Sequence, residues 1–307
     1  MITPTPAQEA ITVDNTHLHD WPLPMPSPEG DKEVRGHVLI LGGSCEMPGA
    51  IILAATAAMR AGAGKLTIAT GASVAQLVAM AIPESRVIAL RETPEGGFLR
   101  EAIDKLHPIA DKVNAILIGP GMQDKAATAA LVRVLLPRLE GTAVVLDACA
   151  MGIITNDDHD DDNEEPLRFP EPVIVTPHAG EMAGLTGLDK DAVLADPDIH
   201  ALAAARAWNA VVALKGARTV ICAPDGRRWQ HEGGNVGLGI SGSGDTLAGI
   251  ICGLAARGAT LEQATCWGVA LHARAGERLA ERMGLLGYLA REIPGEIPAL
   301  MEHLARA

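Results

Sequence analysis

Short apolar runs alternate with alanine-rich segments along most of the chain, and this pattern restricts the possible folds more than any other feature. Val38-Leu39-Ile40-Leu41 is the first clear run, a helix of small residues is predicted over 50–60, and Leu66-Thr67-Ile68-Ala69 resumes as a strand. The same pattern predicts strands at 87–90, 115–118, 144–146, 173–175 and 210–214. It also predicts helices near 74–81, 125–138, 199–208, 245–256 and 261–282, with one more helix starting near Gly180. Such strand–helix–strand units build parallel sheets with helices on both faces. We therefore predict an α/β fold with a mostly parallel central sheet.

The even composition of most of the chain favours one large domain. No break in composition divides residues 35–307, whereas the first 34 residues are rich in proline and are predicted as an extended lead-in. A hairpin is predicted from 219–223 and 228–231, joined by Pro224-Asp225-Gly226. Aromatic residues make up only 2% of the chain, so the core must consist of Ala, Val, Leu and Ile. The acidic stretch 156–166 is interpreted as a solvated loop insertion and not as a metal site.

Charge and cysteine usage exclude several classes of protein. The net charge is −13 and no Lys/Arg run is present, which argues against nucleic acid or an anionic membrane as a partner. The apolar span 236–256 is interrupted by Gly, Ser and Asp, so it is not predicted to cross a membrane. The five cysteines form no C-x-x-C pair and predict free thiols in a reducing compartment. With no secretory signal expected either, a cytoplasmic protein without a resident metal is predicted.

A glycine-punctuated turn, Ser241-Gly242-Ser243-Gly244-Asp245, leads into an apolar helix and carries one carboxylate at the junction. The first turn of a helix directs unpaired N–H groups and the positive end of its dipole at one place. Gly242, Ser243 and Gly244 are therefore predicted to form an anion hole. A carboxylate is repelled by a bound anion, so Asp245 is interpreted as a general base for a hydroxyl beside a phosphate. The alternative is an ordinary Asp near a helix start, where Asp is favoured.

Further polar and glycine features fall where predicted strands end, at Gly42-Gly43-Ser44, Gly119-Pro120-Gly121, Asp147, Thr176-Pro177-His178 and Lys215-Gly216. Ligands bind beyond the carboxyl ends of the strands in open parallel sheets, so these features predict a site along one edge. Each has a plain alternative: Lys215 as a solvated surface residue, His178 as a structural histidine, and Asp147 as a cap for the next turn.

Seven motifs follow one another between Gly36 and Gly258, and together they are more specific than any single glycine motif. They are GHVLILGGS, MPGAIILAATAAMRAGAG, ILIGPGM, VVLDA, VIVTPHAGEMAGLTG, ALKGART and NVGLGISGSGDTLAGIICGLAARG. With these motifs the chain resembles the ADP/ATP-dependent NAD(P)H-hydrate dehydratase family, a branch of the ribokinase-like fold. The resemblance implies a three-layer α/β/α domain with no separate lid. The family often carries an N-terminal epimerase domain, for which the lead-in offers no room.

The resemblance also implies a reaction and its residues. Hydrated NADH or NADPH (the S epimer, NADHX or NADPHX) is returned to NAD(P)H by phosphorylating the ring C6 hydroxyl and eliminating phosphate, with ADP or ATP as co-substrate and Mg²⁺ on its phosphates. Asp245 would take the hydroxyl proton, and Asn235 would contact phosphate or sugar. The implied substrate-binding positions are Ala50, Gly121, His178 and Asp245, and the implied nucleotide-binding positions are Lys215, Gly216, Ala217, Arg218, Thr219 and Gly244. A homotetramer is implied too.

The chain departs from the family pattern at one position, and the sequence is compatible with two alternative functions. The family usually reads Asp-Ala-Asp where this chain has Asp147-Ala148-Cys149, so a second carboxylate is missing while Asp147 remains. A ribokinase-fold kinase acting on a vitamin precursor or sugar alcohol would use the turn around Asp245 equally well. A catalytically silent nucleotide-binding protein would need the anion donors but not the base.

Overall fold

The apolar runs of the sequence pair into one sheet in the computed structural model, which describes residues 9–27, 29–155 and 167–306. Within those ranges the strands are β1 (Ile11–Thr12), β2 (His37–Leu41), β3 (Lys65–Gly71), β4 (Arg86–Leu90), β5 (Ala115–Ile118), β6 (Ala143–Leu146), β7 (Val173–Val175), β8 (Ala210–Leu214), β9 (Arg218–Cys222) and β10 (Arg228–Glu232). Their order across the sheet is β1-β10-β9-β8-β7-β6-β5-β2-β3-β4.

The strand order reverses between β2 and β5. From β2 the chain builds outward through β3 to β4, and it then builds from β5 through β6 and β7 to β8 on the other side. These strands run parallel, whereas β9 is antiparallel to both β8 and β10. Ligands bind at the carboxyl edge of such a sheet, where the order reverses. The topology therefore places a binding site near the loops that follow β2 and β5.

Helices cover both faces of the sheet, as predicted. They are α1 (Asn15–Asp20), α2 (Pro48–Arg60), α3 (Ala75–Ala81), α4 (Ile103–Ala110), α5 (Lys125–Leu135), α6 (Ala179–Thr186), α7 (Lys190–Ala195), α8 (Pro197–Trp208), α9 (Ser243–Ala256), α10 (Leu261–Met283) and α11 (Ile293–Arg306). Short 3-10 helices lie at Arg100–Ala102, Leu136–Arg138, Ala148–Ile154, Val236–Leu238 and Ala290–Glu292.

Two hydrophobic cores lie on opposite faces of the sheet, because successive strand side chains point to opposite sides. Val38 and Ile40 of β2 pack in the core shared with α2, α9 and α10. Leu39 and Leu41 pack in the core shared with α4, α5 and α8. The described ranges thus form three layers, helix, sheet and helix, and no segment within them forms a separate lid.

Small residues let α2 and α9 come very close. A Cβ added to Gly249 of α9 would lie 2.2 Å from the carbonyl oxygen of Ala54, and one added to Gly253 would lie 2.5 Å from that of Ala58. Distances this short leave no room for a larger side chain in a close-packed interior. The small residues along the facing sides of α2 and α9 therefore have a structural cause, and the tight contact fixes α9 against its neighbour.

The predicted strands and helices are confirmed to within about two residues at each end. The predicted hairpin is formed by β9 and β10, with Trp229 opposite Ile221. The sequence pattern did not predict α1, α4, α7 or α11. Pro108 lies inside α4, and α7 has only six residues, so neither gives a clear helical pattern.

The extended lead-in predicted for residues 1–34 is wrong at helix α1, and its described part packs on the domain. Strand β1 pairs in parallel with β10, and α1 follows with Leu18 fully buried. The Trp21 ring stacks on Trp229, with 6.0 Å between ring centroids. The segment packs here because it covers the sheet edge at β10, whose backbone groups would otherwise be unpaired.

Two other predictions concern the extent of the domain. The boundary at residue 35 stays a prediction, and the predicted acidic insertion 156–166 lies outside the described residues. In the ranges that the structure describes, no helix has both the length and the apolar character needed to span a bilayer.

Candidate active site

The loops after β2 and β5 contact each other where the strand order reverses. The Gly43 N–H donates to the Pro120 carbonyl at 2.7 Å. Gly121 has a φ of +66°, and a Cβ there would lie 2.9 Å from the Ala50 Cβ and 2.5 Å from the Met47 carbonyl oxygen. Glycine is therefore required at position 121 for both its backbone angle and its space. The two small residues predicted to contact the dinucleotide, Ala50 and Gly121, are indeed neighbours.

Polar side chains from three adjacent strands meet at the same edge. Asp147 follows β6, Thr176 follows β7 and Lys215 follows β8. The Thr176 hydroxyl donates to Asp147 Oδ1 at 2.7 Å, and Lys215 Nζ lies 3.4 Å from the same oxygen. Asp147 is only 3% exposed, so its carboxylate is shielded from water and depends on these two partners.

Lys215 lies among carboxylates rather than in solvent, with 20% of its side chain exposed. Burial acts to lower the pKa of Lys215. The charges of Asp147 and Glu181 act in the opposite direction, with a smaller contribution from Asp245, and the pKa ends above its ordinary value. The side chain is therefore a permanent cation at neutral pH, and the solvated-surface alternative does not describe it.

His178 caps helix α6. Its ring Nδ1 accepts hydrogen bonds from the backbone N–H groups of Gly180 at 3.0 Å and Glu181 at 3.1 Å. The backbone N–H of His178 in turn donates to Glu181 Oε2 at 2.7 Å. This reciprocal arrangement is a capping box. The imidazole is 59% exposed, and its Nε2 lies 3.6 Å from Glu181 Oε2. His178 thus has a structural role, and its predicted contact with substrate stays a prediction.

The N-terminus of α9 faces Lys215. Gly242 is the N-cap, with a φ of +88° and no side-chain hydrogen bond to the helix. A Cβ placed on Gly244 would lie 3.5 Å from Lys215 Nζ, so the ammonium reaches the first helical turn. A helix N-terminus beside a lysine is a suitable place for a phosphate.

Ser243 does not contribute to the predicted anion hole as expected. Its N–H donates to the Ile240 carbonyl at 3.2 Å, so this amide is already engaged. His272 Nε2 of α10 lies 3.0 Å from the Ser243 hydroxyl and 3.1 Å from its carbonyl oxygen. Burial lowers the pKa of His272 to about 4, so the ring is neutral and donates to the turn. The predicted anion hole is therefore reduced to the backbone N–H groups of Gly242 and Gly244.

Asp245 lies in the first turn of α9 and is partly buried. Burial is the main cause that raises the pKa of its carboxyl group to about 6, from an ordinary 3.8. The charge of Asp147 adds to this rise, whereas Lys215 opposes it. Such a carboxylate is ionised at neutral pH yet basic enough to accept a proton during reaction.

Not every predicted nucleotide-binding side chain points to this corner. The Arg218 guanidinium pairs with Asp198 of α8 and donates to Gln230 Oε1 at 2.7 Å. The predicted contact of the Arg218 side chain with the nucleotide is therefore corrected. Because Asp198 and Gln230 hold the guanidinium, only the backbone of Arg218 is left to line the site. Gly216 and Ala217 form the turn between β8 and β9, and Thr219 of β9 pairs with His231 of β10.

Asn235 lies ahead of the α9 turn. Its Oδ1 accepts from the Gly237 N–H at 2.9 Å and from the Tyr288 hydroxyl at 2.8 Å. Its Nδ2 is buried without a hydrogen-bond partner among the described residues. The amide oxygen is therefore structural, and the nitrogen is the atom that remains for a phosphate or sugar.

Cys149 takes the place of the second acidic residue expected after Asp147. Its Sγ lies 3.8 Å from the Thr128 hydroxyl of α5, and burial raises the pKa of the thiol. Ala148 between them has a φ of +47°, a left-handed conformation that is uncommon for residues other than glycine. The chain therefore turns sharply after Asp147, and Cys149 packs against α5.

The residues missed by the sequence analysis are Glu181 and His272. Glu181 lies 3.7 Å from Lys215 Nζ and also closes the capping box. Its position three residues after His178, at the start of a helix, was the available signal. His272 is far along the chain in α10, and nothing in the local sequence indicated that it reaches Ser243.

Two cavities of ≈ 500 and ≈ 540 Å³ lie away from this corner. They open near the amino ends of β6 and β7, beside residues such as Pro137, Thr142 and Val173. That edge of the sheet carries none of the strand-end groups described above. The carboxyl edge therefore remains the candidate active site on chemical grounds.

The family model of the NAD(P)H-hydrate dehydratases (Carb_kinase) matches residues 38–299. The chain belongs to this family. Its similarity to the ADP-dependent (S)-NAD(P)H-hydrate dehydratase of Xanthomonas campestris pv. campestris is 49% identity over 287 residues, covering 92% of this chain and 94% of the relative. The chain spans about half the length of the bifunctional NAD(P)H-hydrate repair enzymes that it also matches.

Solved structures agree with membership of the NAD(P)H-hydrate dehydratase family. The ADP/ATP-dependent NAD(P)H-hydrate dehydratase of Bacillus subtilis, co-crystallized with ATP/Mg²⁺, is 29% identical with a TM-score of 0.78, over 97% of this chain and 100% of that one. A ribokinase-like superfamily protein of Enterococcus faecalis V583 has a TM-score of 0.80 at 24% identity, over 99% and 100% of the two chains. The predicted ribokinase-like fold is confirmed.

Proposed function

We propose that this chain is a nucleotide-dependent dehydratase that returns the S epimer of hydrated NADH or NADPH to NAD(P)H. The observation that carries the proposal is Asp245, a carboxylate of raised pKa in the first turn of α9, beside the partly buried Lys215. Helix N–H groups and an ammonium suit a phosphate, and a base beside them suits the hydroxyl that receives it. The dehydratase names of the relatives support this choice of substrate.

The proposed reaction converts a poor leaving group into a good one. Asp245 takes the proton of the ring C6 hydroxyl as the hydroxyl oxygen attacks the terminal phosphorus of ADP or ATP, and the bond to the bridging oxygen breaks. The ring nitrogen lone pair then expels the phosphate, and loss of a C5 proton restores the double bond. A positioned base of this kind contributes typically ~10²–10⁴-fold, and oriented dipoles and charges supply much of the remaining acceleration.

Each predicted ligand is assigned to one side of Asp245. The nucleotide phosphates are proposed to lie against Gly244, Gly242 and Lys215, and the rest of the nucleotide along the turn at Gly216 and Ala217 and the start of β9 at Thr219. The hydrated ring is proposed to lie toward Ala50, Gly121 and His178. The close contact of Ala50 with Gly121 supports this, since it leaves a small-residue wall on that side.

Mg²⁺ fits the charges around the proposed phosphate site. Asp147, Glu181 and Asp245 bring three carboxylates against one ammonium, so a polyphosphate needs further positive charge there. The described residues contain no group of three His, Cys, Asp or Glu side chains that could hold a metal ion by themselves. Mg²⁺ usually keeps several waters and binds through substrate phosphates, which suits this sparse donor set. When bound, it neutralises charge on the phosphate oxygens.

Assembly and location are proposed from the same family membership. We propose a homotetramer, supported by the apolar side chains exposed near the α9 turn at Val236, Leu285, Leu286 and Leu289. Light scattering or sedimentation of the purified protein tests this directly. A cytoplasmic location is supported by the five cysteines, all of which are free thiols.

The test of the proposed function is an absorbance assay. Hydrated cofactor is incubated with the protein, Mg²⁺ and either ADP or ATP, and the reduced-nicotinamide band is followed. We expect it to reappear with release of one phosphate per NAD(P)H. A stable phosphorylated product would identify a kinase instead, and nucleotide binding without turnover would identify a silent binding protein.

A further inference from the structure

Three neighbouring strands present one linked set of polar groups at their carboxyl ends. Strand β7 lies between β6 and β8, so Thr176 is flanked by Asp147 on one side, and His178, two residues on, pairs with Lys215 on the other. Asp147 Oδ1 accepts from the Thr176 hydroxyl at 2.7 Å and lies 3.4 Å from Lys215 Nζ. One carboxylate oxygen is therefore shared by a neutral donor and a cation.

The shared oxygen is almost completely shielded from water. Asp147 is 3% exposed and Thr176 is 1% exposed. A buried carboxylate needs hydrogen bonds as well as charge pairing, and hydrogen bonds to charged groups are the stronger kind. If the threonine hydroxyl were lost, this oxygen would retain Lys215 as its partner and would draw the ammonium more strongly toward β6.

The ammonium of Lys215 also lies close to the first turn of α9. A lysine side chain is flexible and reaches many positions unless contacts restrict it. Here Nζ lies between Asp147 on one side and Glu181 at 3.7 Å on the other, and it reaches the first turn of α9 at Gly244. Glu181 is itself held by the His178 N–H. The position of the ammonium over the helix N-terminus thus depends on how strongly each carboxylate attracts it.

We infer that Thr176 is a positioning residue: by donating to Asp147 it limits the pull of this carboxylate on Lys215 and keeps the ammonium over the first turn of α9, where the phosphates of the nucleotide bind. The inference rests on the proposed function for the identity of the ligand. It assigns to Thr176 an effect on nucleotide affinity that acts through Lys215.

A double-mutant cycle tests this coupling. The affinity for Mg²⁺–ADP is measured by calorimetry for the wild type, Thr176→Val, Lys215→Ala and the double variant. We expect Thr176→Val to weaken binding by about fivefold to tenfold in the wild-type background and to change it less than about twofold in the Lys215→Ala background. Thr176→Ser, which keeps the hydroxyl, should bind like the wild type.

The control is Thr67→Val in β3, which removes another buried threonine hydroxyl, 2.8 Å from Nε2 of His37, the first residue of β2. This pair lies away from the carboxyl ends of the strands, where the site is. It should lower thermal stability by a similar amount without changing affinity. The inference is overturned if Thr176→Val binds like the wild type, if its loss persists without Lys215, if Thr67→Val weakens binding equally, or if Thr176→Ser does not restore affinity. A wild type that binds Mg²⁺–ADP without restoring NAD(P)H would refute the proposed function, while the binding cycle would still decide the role of Thr176.

Discussion

Replacing Asp245 by asparagine removes a negative charge and a proton acceptor from the first turn of α9 while keeping the size of the side chain. The N–H groups of the turn and Lys215 remain, so nucleotide affinity should change little. Turnover should fall by roughly 10²–10⁴-fold, because the ring hydroxyl loses its base.

The pH dependence of the wild type follows from the same carboxylate. With a pKa raised to about 6, Asp245 is about nine-tenths ionised at pH 7 and about one-tenth ionised at pH 5. The rate should therefore fall roughly tenfold between these values. An aspartate with the ordinary pKa of 3.8 would stay more than about nine-tenths ionised at pH 5 and would give a nearly flat profile.

Stability should change in the direction opposite to activity. Because the pKa of Asp245 is higher in the native state, native protein holds this proton more tightly than unfolded chain does, and the contribution of Asp245 to stability falls as pH rises from about 4 to about 6. A difference of about two units corresponds to about 3 kcal/mol, which the ionised carboxylate costs at neutral pH. Asp245→Asn should therefore raise the free energy of unfolding at pH 7 by up to about 3 kcal/mol, and this gain should vanish near pH 4.

Three measurements decide the matter: kcat from the absorbance assay, affinity for Mg²⁺–ADP, and urea unfolding at pH 7 and pH 4. Asp225→Asn is the matched control, since Asp225 is 51% exposed in the β9–β10 turn and pairs with Arg227. It should leave activity unchanged. The reasoning is refuted if Asp245→Asn keeps kcat within tenfold of the wild type, or if it is less stable than the wild type at pH 7.

Other consequences of the structure can be measured separately. Since burial lowers the pKa of His272 to about 4, protonation of its ring should cost about 3 kcal/mol of stability as pH drops from 6.5 to 4, which offsets the contribution of Asp245 in the wild type. The stability of His272→Gln relative to the wild type should therefore increase by about this amount over the same range; urea unfolding of both proteins checks it, and a constant difference would contradict it. Gly249→Ala should lower the free energy of unfolding by about 1–3 kcal/mol, because its Cβ would collide with the Ala54 carbonyl oxygen; equal stability in urea would show that α2 and α9 can separate. In native protein the exposed Cys45 should react with a thiol reagent well before the buried Cys222, Cys252 and Cys266, and four rapid equivalents would contradict the described burial.

Much of the fold was predictable because its signals are local. Strands such as β5 and β8 are short apolar runs bounded by glycine or polar residues, and helices such as α9 follow a glycine turn. The N-terminal segment was not predictable in this way. Its packing depends on partners more than two hundred residues away, such as the Gln230 carbonyl that accepts from the Val13 N–H at 2.8 Å.

The individual residues of the site were predictable from the sequence, but the contacts between their side chains were not. Asp245, Lys215 and Asp147 could be named from strand ends and the glycine turn. Their mutual distances depend on the strand order, which places β6, β7 and β8 side by side. The engagement of Arg218 by Asp198 also depends on tertiary packing, since α8 must lie across β9 for the two charges to meet.

In the proposed reaction, phosphate leaves with the oxygen of the ring hydroxyl. Hydrated cofactor whose C6 hydroxyl carries a heavy oxygen isotope can be converted in ordinary water with Mg²⁺–ADP, and the released phosphate examined by mass spectrometry. We expect one labelled oxygen in each phosphate formed with NAD(P)H. Unlabelled phosphate, with the label released into water, would show that the hydroxyl was never phosphorylated and would contradict the role given to Asp245.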